Sequence, residues 1–175
     1  MSTIQFTATV SQIGSQTLIR LPSAASLQLP SRGMTMVKGT INNVSFQAPL
    51  EPDGQKGHWL KLDDRLSKVG TLSIGDKAVL DIEPTKDWPE PTIPADLQAA
   101  LRADPKANEV WNDITPMARW DWIRWIGATK QPATRQRRVE VTCSKMNSGK
   151  RRPCCFNRTE CTDPSLSKNG VLFDD

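Results

Sequence analysis

The chain of 175 residues contains no tyrosine, a single histidine and four cysteines. One histidine, His58, rules out most His-based metal sites and disfavours a His-dependent catalytic triad. No apolar run approaches 18 residues, so the sequence offers no membrane-spanning helix. The opening residues Met1–Val10 carry no basic residue and no apolar signal-peptide core, which makes the cytoplasm the expected compartment. Several catalytic signatures are absent: no G-x-G-x-x-G, no H-E-x-x-H and no G-x-S-x-G. Ser148-Gly-Lys-Arg151 falls short of a phosphate-binding loop, which needs glycine where Ser144 stands and Ser or Thr where Arg151 stands.

What is present reads as globular. The hydrophobic fraction is 37% and the charged fraction 24%, and the length suits one large domain or two small ones. The formal net charge is +4, and it is unevenly placed. Residues 1–90 hold nine basic and nine acidic side chains, so the whole excess lies in the second half. Between Lys130 and Arg158 there are nine basic residues and one acidic residue, Glu140.

Proline divides the chain. Pro84, Pro89, Pro91 and Pro94 fall within eleven residues. Proline lacks an N–H and restricts its predecessor, so 84–94 is expected to be a semi-rigid linker. Before it, hydrophobicity alternates with period two. Ile4, Phe6, Ala8 and Val10 mark a first strand. Thr17–Leu21, Thr35–Ile41, Val44–Ala48, His58–Leu62 and Lys77–Glu83 are expected to follow as strands, with Asn42-Asn43 as a tight hairpin turn. Five or six such strands predict a small antiparallel barrel or sandwich over 1–83. After the linker the period becomes 3.6. Ala95–Ala103 is a short helix. Asp104-Pro105 and Thr115-Pro116 each place a capping side chain before a proline at the first helical position. Pro132 opens a longer helix to about Ser148, with Gly149 as its C-terminal stop. The fold class is thus α+β in two parts. A barrel (1–83) and a linker (84–94) precede a helical domain (95–149) and a Cys-rich basic tail (150–175).

Three clusters are candidate sites. Cys143, Cys154, Cys155 and Cys161 could supply four thiolates to a structural zinc. Reduced packing cysteines, or a disulfide or redox pair, are the alternatives. No C-x2-C pair occurs, and Val139, Cys143 and Met146 share one helical face, as core residues would. Arg135, Arg138 and Lys145 fall within about 80° on the last helix, at 100° per residue. Lys150, Arg151, Arg152 and Arg158 follow in the tail. Together they could contact the phosphates of a nucleic acid or another anionic partner. The plainer readings are a solvated helix face, a complement to the helix dipole, or pairing with carboxylates. Trp122, Trp125, Ile123 and Ile126 form a helical core stripe. Trp120 lies off its centre and is a candidate stacking surface for a base. His58 reads as a hydrogen-bonded structural residue, with Asp63 and Asp64 beside it.

Motif order then points to a family. Val37-Lys-Gly-Thr-Ile-Asn-Asn43, His58-Trp-Leu-Lys-Leu62 and Ile74-Gly-Asp-Lys-Ala-Val79 resemble the barrel domain termed domain of unknown function 1905. Ile93-Pro-Ala-Asp-Leu97, Ala100-Leu-Arg-Ala-Asp-Pro105, Trp125-Ile126 and Thr134-Arg-Gln-Arg-Arg138 resemble the YdeI/OmpD-associated, or bacteriocin-protection, family. The resemblance spans about residues 3–150. It implies a bacterial protein with a barrel before a helical domain and a link to antimicrobial-peptide or envelope stress. It carries no catalytic residues onto this chain. The expected function is a non-enzymatic binding or stress-protection protein with a basic C-terminal surface. The alternative is an enzyme or small-molecule binder with a site between barrel and helices, using His58, Asp63 or a tail thiolate.

Overall fold

The computed structural model describes residues 3–63, 66, 72–153, 164–168 and 171–174. Two compact units result, Met1–Asp87 with Val171–Asp175, and Trp88–Gly170.

The first unit is a closed antiparallel barrel. Its strands are β1 (Ile4–Ile13), β2 (Gln16–Arg20), β3 (Thr35–Ile41), β4 (Val44–Pro52), β5 (His58–Lys61) and β6 (Lys77–Pro84), joined in the order β1-β2-β5-β4-β3-β6. Strand β6 closes the barrel by pairing with β1, as in Ile4 opposite Ile82 and Phe6 opposite Leu80. Closure leaves the ladder no free edge. The period-two pattern has a direct outcome here. Ile19, Leu50 and Leu60 stand opposite one another on three adjacent strands, and all are completely buried in one core with Val37, Ile41, Ala78, Leu80 and Ile82.

Two local features permit the closure. Asn42 and Asn43 take φ of 47° and 68°, the left-handed conformation that a two-residue hairpin needs and that asparagine tolerates. Gly39 lies between Phe46 of β4 and Ile82 of β6. A Cβ there would stand 1.9 Å from the Asp81 carbonyl oxygen, so only glycine lets β3 and β6 approach. Strand β4 runs to Pro52, past the expected end at Ala48, because its pairing continues through Pro49 opposite Met36. A short helix, α1 (Ser23–Leu27), follows β2 and has no counterpart in the period analysis.

The second unit contains α2 (Ala95–Arg102), α3 (Pro105–Asp113), α4 (Pro116–Gly127) and α5 (Pro132–Asn147). Both expected caps are made. The Asp104 carboxylate accepts from Ala107 N–H at 3.2 Å, and Thr115 Oγ1 accepts from Ala118 N–H at 3.2 Å. Helix α5 ends in a Schellman turn: Gly149, φ 85°, donates to Met146, and Lys150 donates to Lys145. The core of this unit is Leu97, Leu101, Trp111, Trp122, Ile126, Val139, Cys143 and Met146 with their neighbours. The proline-rich stretch divides between the units after Asp87. None of the described helices is long and apolar enough to cross a membrane.

Candidate functional site: the basic end of the helical unit

The helices of the second unit are short, so the unit has many helix ends. Each end leaves carbonyls without an intrahelical donor, and cations are favoured there by the helix dipole. Arginines fill this role. Arg119 of α4 reaches back to the end of α3, donating from Nε to Trp111 O at 2.9 Å and from Nη2 to Asn112 O at 3.1 Å. Its Nη1 meets Glu90 at 2.5 Å. Arg138 of α5 donates to Trp125 O at 2.6 Å and Ala128 O at 3.3 Å, at the end of α4. The same guanidinium lies 5.2 Å from the Trp125 ring centroid, within cation–π range.

The basic cluster seen in sequence therefore divides in two. Arg135 holds Asp96 of α2 with two hydrogen bonds, 2.7 and 3.2 Å, and this pair keeps the Asp96 carboxyl below its ordinary pKa. With Arg138 on α4, these two side chains tie α5 to its neighbours. Lys145, Lys150, Arg151 and Arg152 sit instead around the end of α5. The Schellman turn joins the backbones of Lys145 and Lys150, through a 2.9 Å hydrogen bond. The buried indole of Trp122 donates to the Arg151 carbonyl at 3.1 Å, which fixes the chain beyond the turn. Arg151 meets the Asp113 carboxylate at 2.7 Å and its carbonyl at 2.9 Å; Arg152 meets Asp121 at 2.7 Å. Both arginine side chains are more than half exposed. Arg158, the last residue of the expected anion site, lies outside the described residues. An open depression of about 510 Å³ beside α3 is lined by Glu109, Val110, Asn112 and Asp113. Its carboxylates would repel an anion.

The other candidates are placed as follows. Trp120 Nε1 donates to the Pro89 carbonyl at 2.7 Å, and its ring meets Trp88 edge-on at 6.2 Å. This pair and the Arg119–Glu90 contact hold the second half of the proline-rich stretch on α4. Trp88 was not singled out in the sequence, because its partner is 32 positions away.

Cys143 is buried with Val139 and Met146 and is a free thiol. Burial, and then the charge of Asp104, push its pKa up. Cys154, Cys155 and Cys161 lie outside the described residues. Among the described residues no three His, Cys, Asp or Glu side chains form a metal-holding group.

His58 is 1% exposed. Its Nε2 lies 3.0 Å from Gly33 O, which can only accept, so the neutral ring carries its proton there. Nδ1 then accepts from the Ser26 hydroxyl at 3.3 Å, and the same hydroxyl accepts from His58 N–H at 3.0 Å. Desolvation lowers the ring's pKa. His58 thus secures α1 to the barrel, as a structural histidine would. Asp63 accepts from Leu66 N–H at 2.9 Å, and Asp64 lies outside the described residues.

Fold and geometry define a class: a side-chain-filled closed barrel followed by a helical unit whose ends are capped by arginines. Comparison with family models assigns both parts. Residues 6–82 match domain of unknown function 1905, and residues 90–149 match the family described as bacteriocin-protection, YdeI or OmpD-associated. The chain is thus similar to the first family over its barrel and to the second over its helices. No curated protein matches it significantly.

Proposed function

We propose that this protein is a non-enzymatic binding protein with a protective role, and that the basic turn after α5 contacts an anionic partner such as nucleic acid. The protective role comes from the description of the helical family. The observation that carries the contact is the fixed turn Lys145–Arg152. Lys145 and Lys150 have no carboxylate partner among the described residues, and Arg151 and Arg152 keep more than half of their side chains exposed while pairing with Asp113 and with the largely buried Asp121. The exposed Arg151–Asp113 ion pair contributes about 0–1 kcal/mol and exchanges readily for phosphate oxygens. The dipole places roughly half a negative charge at this end of α5, less than the cations gathered there. In this reading Arg135 and Arg138 position α5, and Arg158 is a further contact for the same partner.

The proposed compartment is the cytoplasm, where the cysteines stay reduced. A structural zinc on Cys143, Cys154, Cys155 and Cys161 stays part of this reading as a way to order the tail. The test is binding of a short duplex oligonucleotide across a salt series. The proposal expects log K to fall linearly with log salt, with a slope of about −0.9 per phosphate contacted. Absence of binding at low salt, or a Kd that ignores salt, would refute it.

A further inference from the structure

The outer wall of the barrel beside Trp59 carries a feature that its core does not require. Register puts Leu60 inside, between Ile19 and Leu50, so Trp59 points outward between Arg20 of β2 and Glu51 of β4. An outward tryptophan on a barrel is normally wet, yet Trp59 is only 1% exposed and stands apart from the core cluster. Its indole N–H is buried with no acceptor among the described residues, an arrangement that costs free energy unless a polar partner arrives.

The residues that reach this wall come from the far end of the chain. Leu172 donates its N–H to the Asp53 carbonyl at 2.9 Å. The Arg20 guanidinium donates to the Phe173 carbonyl. Leu172 is 6% exposed and, like Trp59, lies outside the core cluster. The contacts are of the generic peptide type. One main-chain N–H is donated, one main-chain carbonyl accepts, and one aliphatic side chain is covered. Extended peptides bind folded domains in this way, with the main chain supplying affinity and alternate side chains supplying selectivity.

We propose that the wall formed by Arg20, Trp59 and Asp53 is a docking surface for an extended peptide, and that Val171–Asp174 is its built-in occupant. The ligand class is a short extended segment with an aliphatic residue followed by a main-chain carbonyl that Arg20 can reach. This surface lies in the barrel unit and is independent of the basic turn, so either proposal can fail alone.

The experiment uses the full chain with Leu172→Asp, which unseats the tail by placing a charge where an aliphatic side chain is buried. A synthetic peptide of residues 170–175 is added in trans, and the Trp59 indole N–H signal is followed by NMR. The proposal expects the peptide to shift that signal in Leu172→Asp and not in the wild type, whose surface is occupied. Adding Arg20→Ala to Leu172→Asp should weaken binding about tenfold or more. No shift in a folded Leu172→Asp chain would overturn the proposal. Amide exchange in the wild type guards against a variant that fails to fold. The Leu172 amide and the Trp59 indole should exchange together, well before the barrel amides. Exchange of both only with global unfolding would make the tail an integral strand and overturn the docking reading.

Discussion

The barrel and the helical unit place their polar side chains differently. In the barrel, each strand's N–H and C=O groups meet those of its neighbours, and the interior is left to aliphatic side chains such as Ile19, Leu50, Leu60 and Leu80. One group of its side-chain hydrogen bonds lies where His58, Ser26 and Arg32 secure α1. Arg32 donates there to Ser26 O, Leu29 O and Lys56 O. In the second unit, the four described helices, of eight to sixteen residues, expose chain ends throughout. Arg119, Arg138 and Arg151 supply donors to the carbonyls at those ends. The difference teaches that a run of basic residues in a unit of short helices is partly a capping requirement. Only the remainder is available to a partner.

Breaking closure should have the largest effect. Gly39→Val should lower barrel stability by about 3 kcal/mol or more, since β3 must move away from the Asp81 carbonyl. A lowered denaturant midpoint, with loss of barrel amide protection, is the readout. On the helical side, Arg138→Ala should cost about 1–3 kcal/mol, because two carbonyls at the end of α4 lose a charged donor. Arg138→Lys should recover only part of this, since an ammonium cannot reproduce the planar fork over Trp125.

The pH responses sharpen the contrast. The His58 pKa is lowered on folding, so the unfolded chain takes up a proton first as pH falls. The stability that His58 contributes is full above the ordinary histidine pKa of about 6.5 and is lost as pH drops through the folded value. Barrel midpoints in urea at pH 7.5 and pH 5 should therefore differ, and His58→Gln should flatten that difference. Asp96 is lowered by Arg135 in the same direction, but its contribution is lost only under acid conditions, below the ordinary carboxylate range. The pair is surface-exposed, with 34% and 44% side-chain exposure, so Arg135→Gln should cost under about 1 kcal/mol at neutral pH.

Local patterns made most of the architecture legible. Alternation found the strands, Asn42-Asn43 announced the hairpin, and Asp104, Thr115 and Gly149 marked helix ends by their own chemistry. Helix α1 escaped because five residues are too short for a 3.6-residue period to show. Strand β4 extends past Ala48 because its ladder with β3 continues through Pro49, which local alternation does not signal. Trp88, Pro89 and Glu90 read as spacer, yet their side chains and carbonyls meet α4 some thirty residues on. The roles of Arg135 and Arg138 were the hardest to see. Their sequence neighbours contain no obvious partner, and the groups they bind, Asp96 and the end carbonyls of α4, are brought near only by folding. The return of Val171–Asp174 to the barrel has no local signal at all.

The most direct test of this division of labour compares oligonucleotide binding by the wild type and a Lys145→Gln/Lys150→Gln variant across a salt series. The account predicts a salt slope shallower by about two in the variant, with the urea midpoint unchanged. An unchanged slope, or a wild type with no salt-dependent binding, would contradict it.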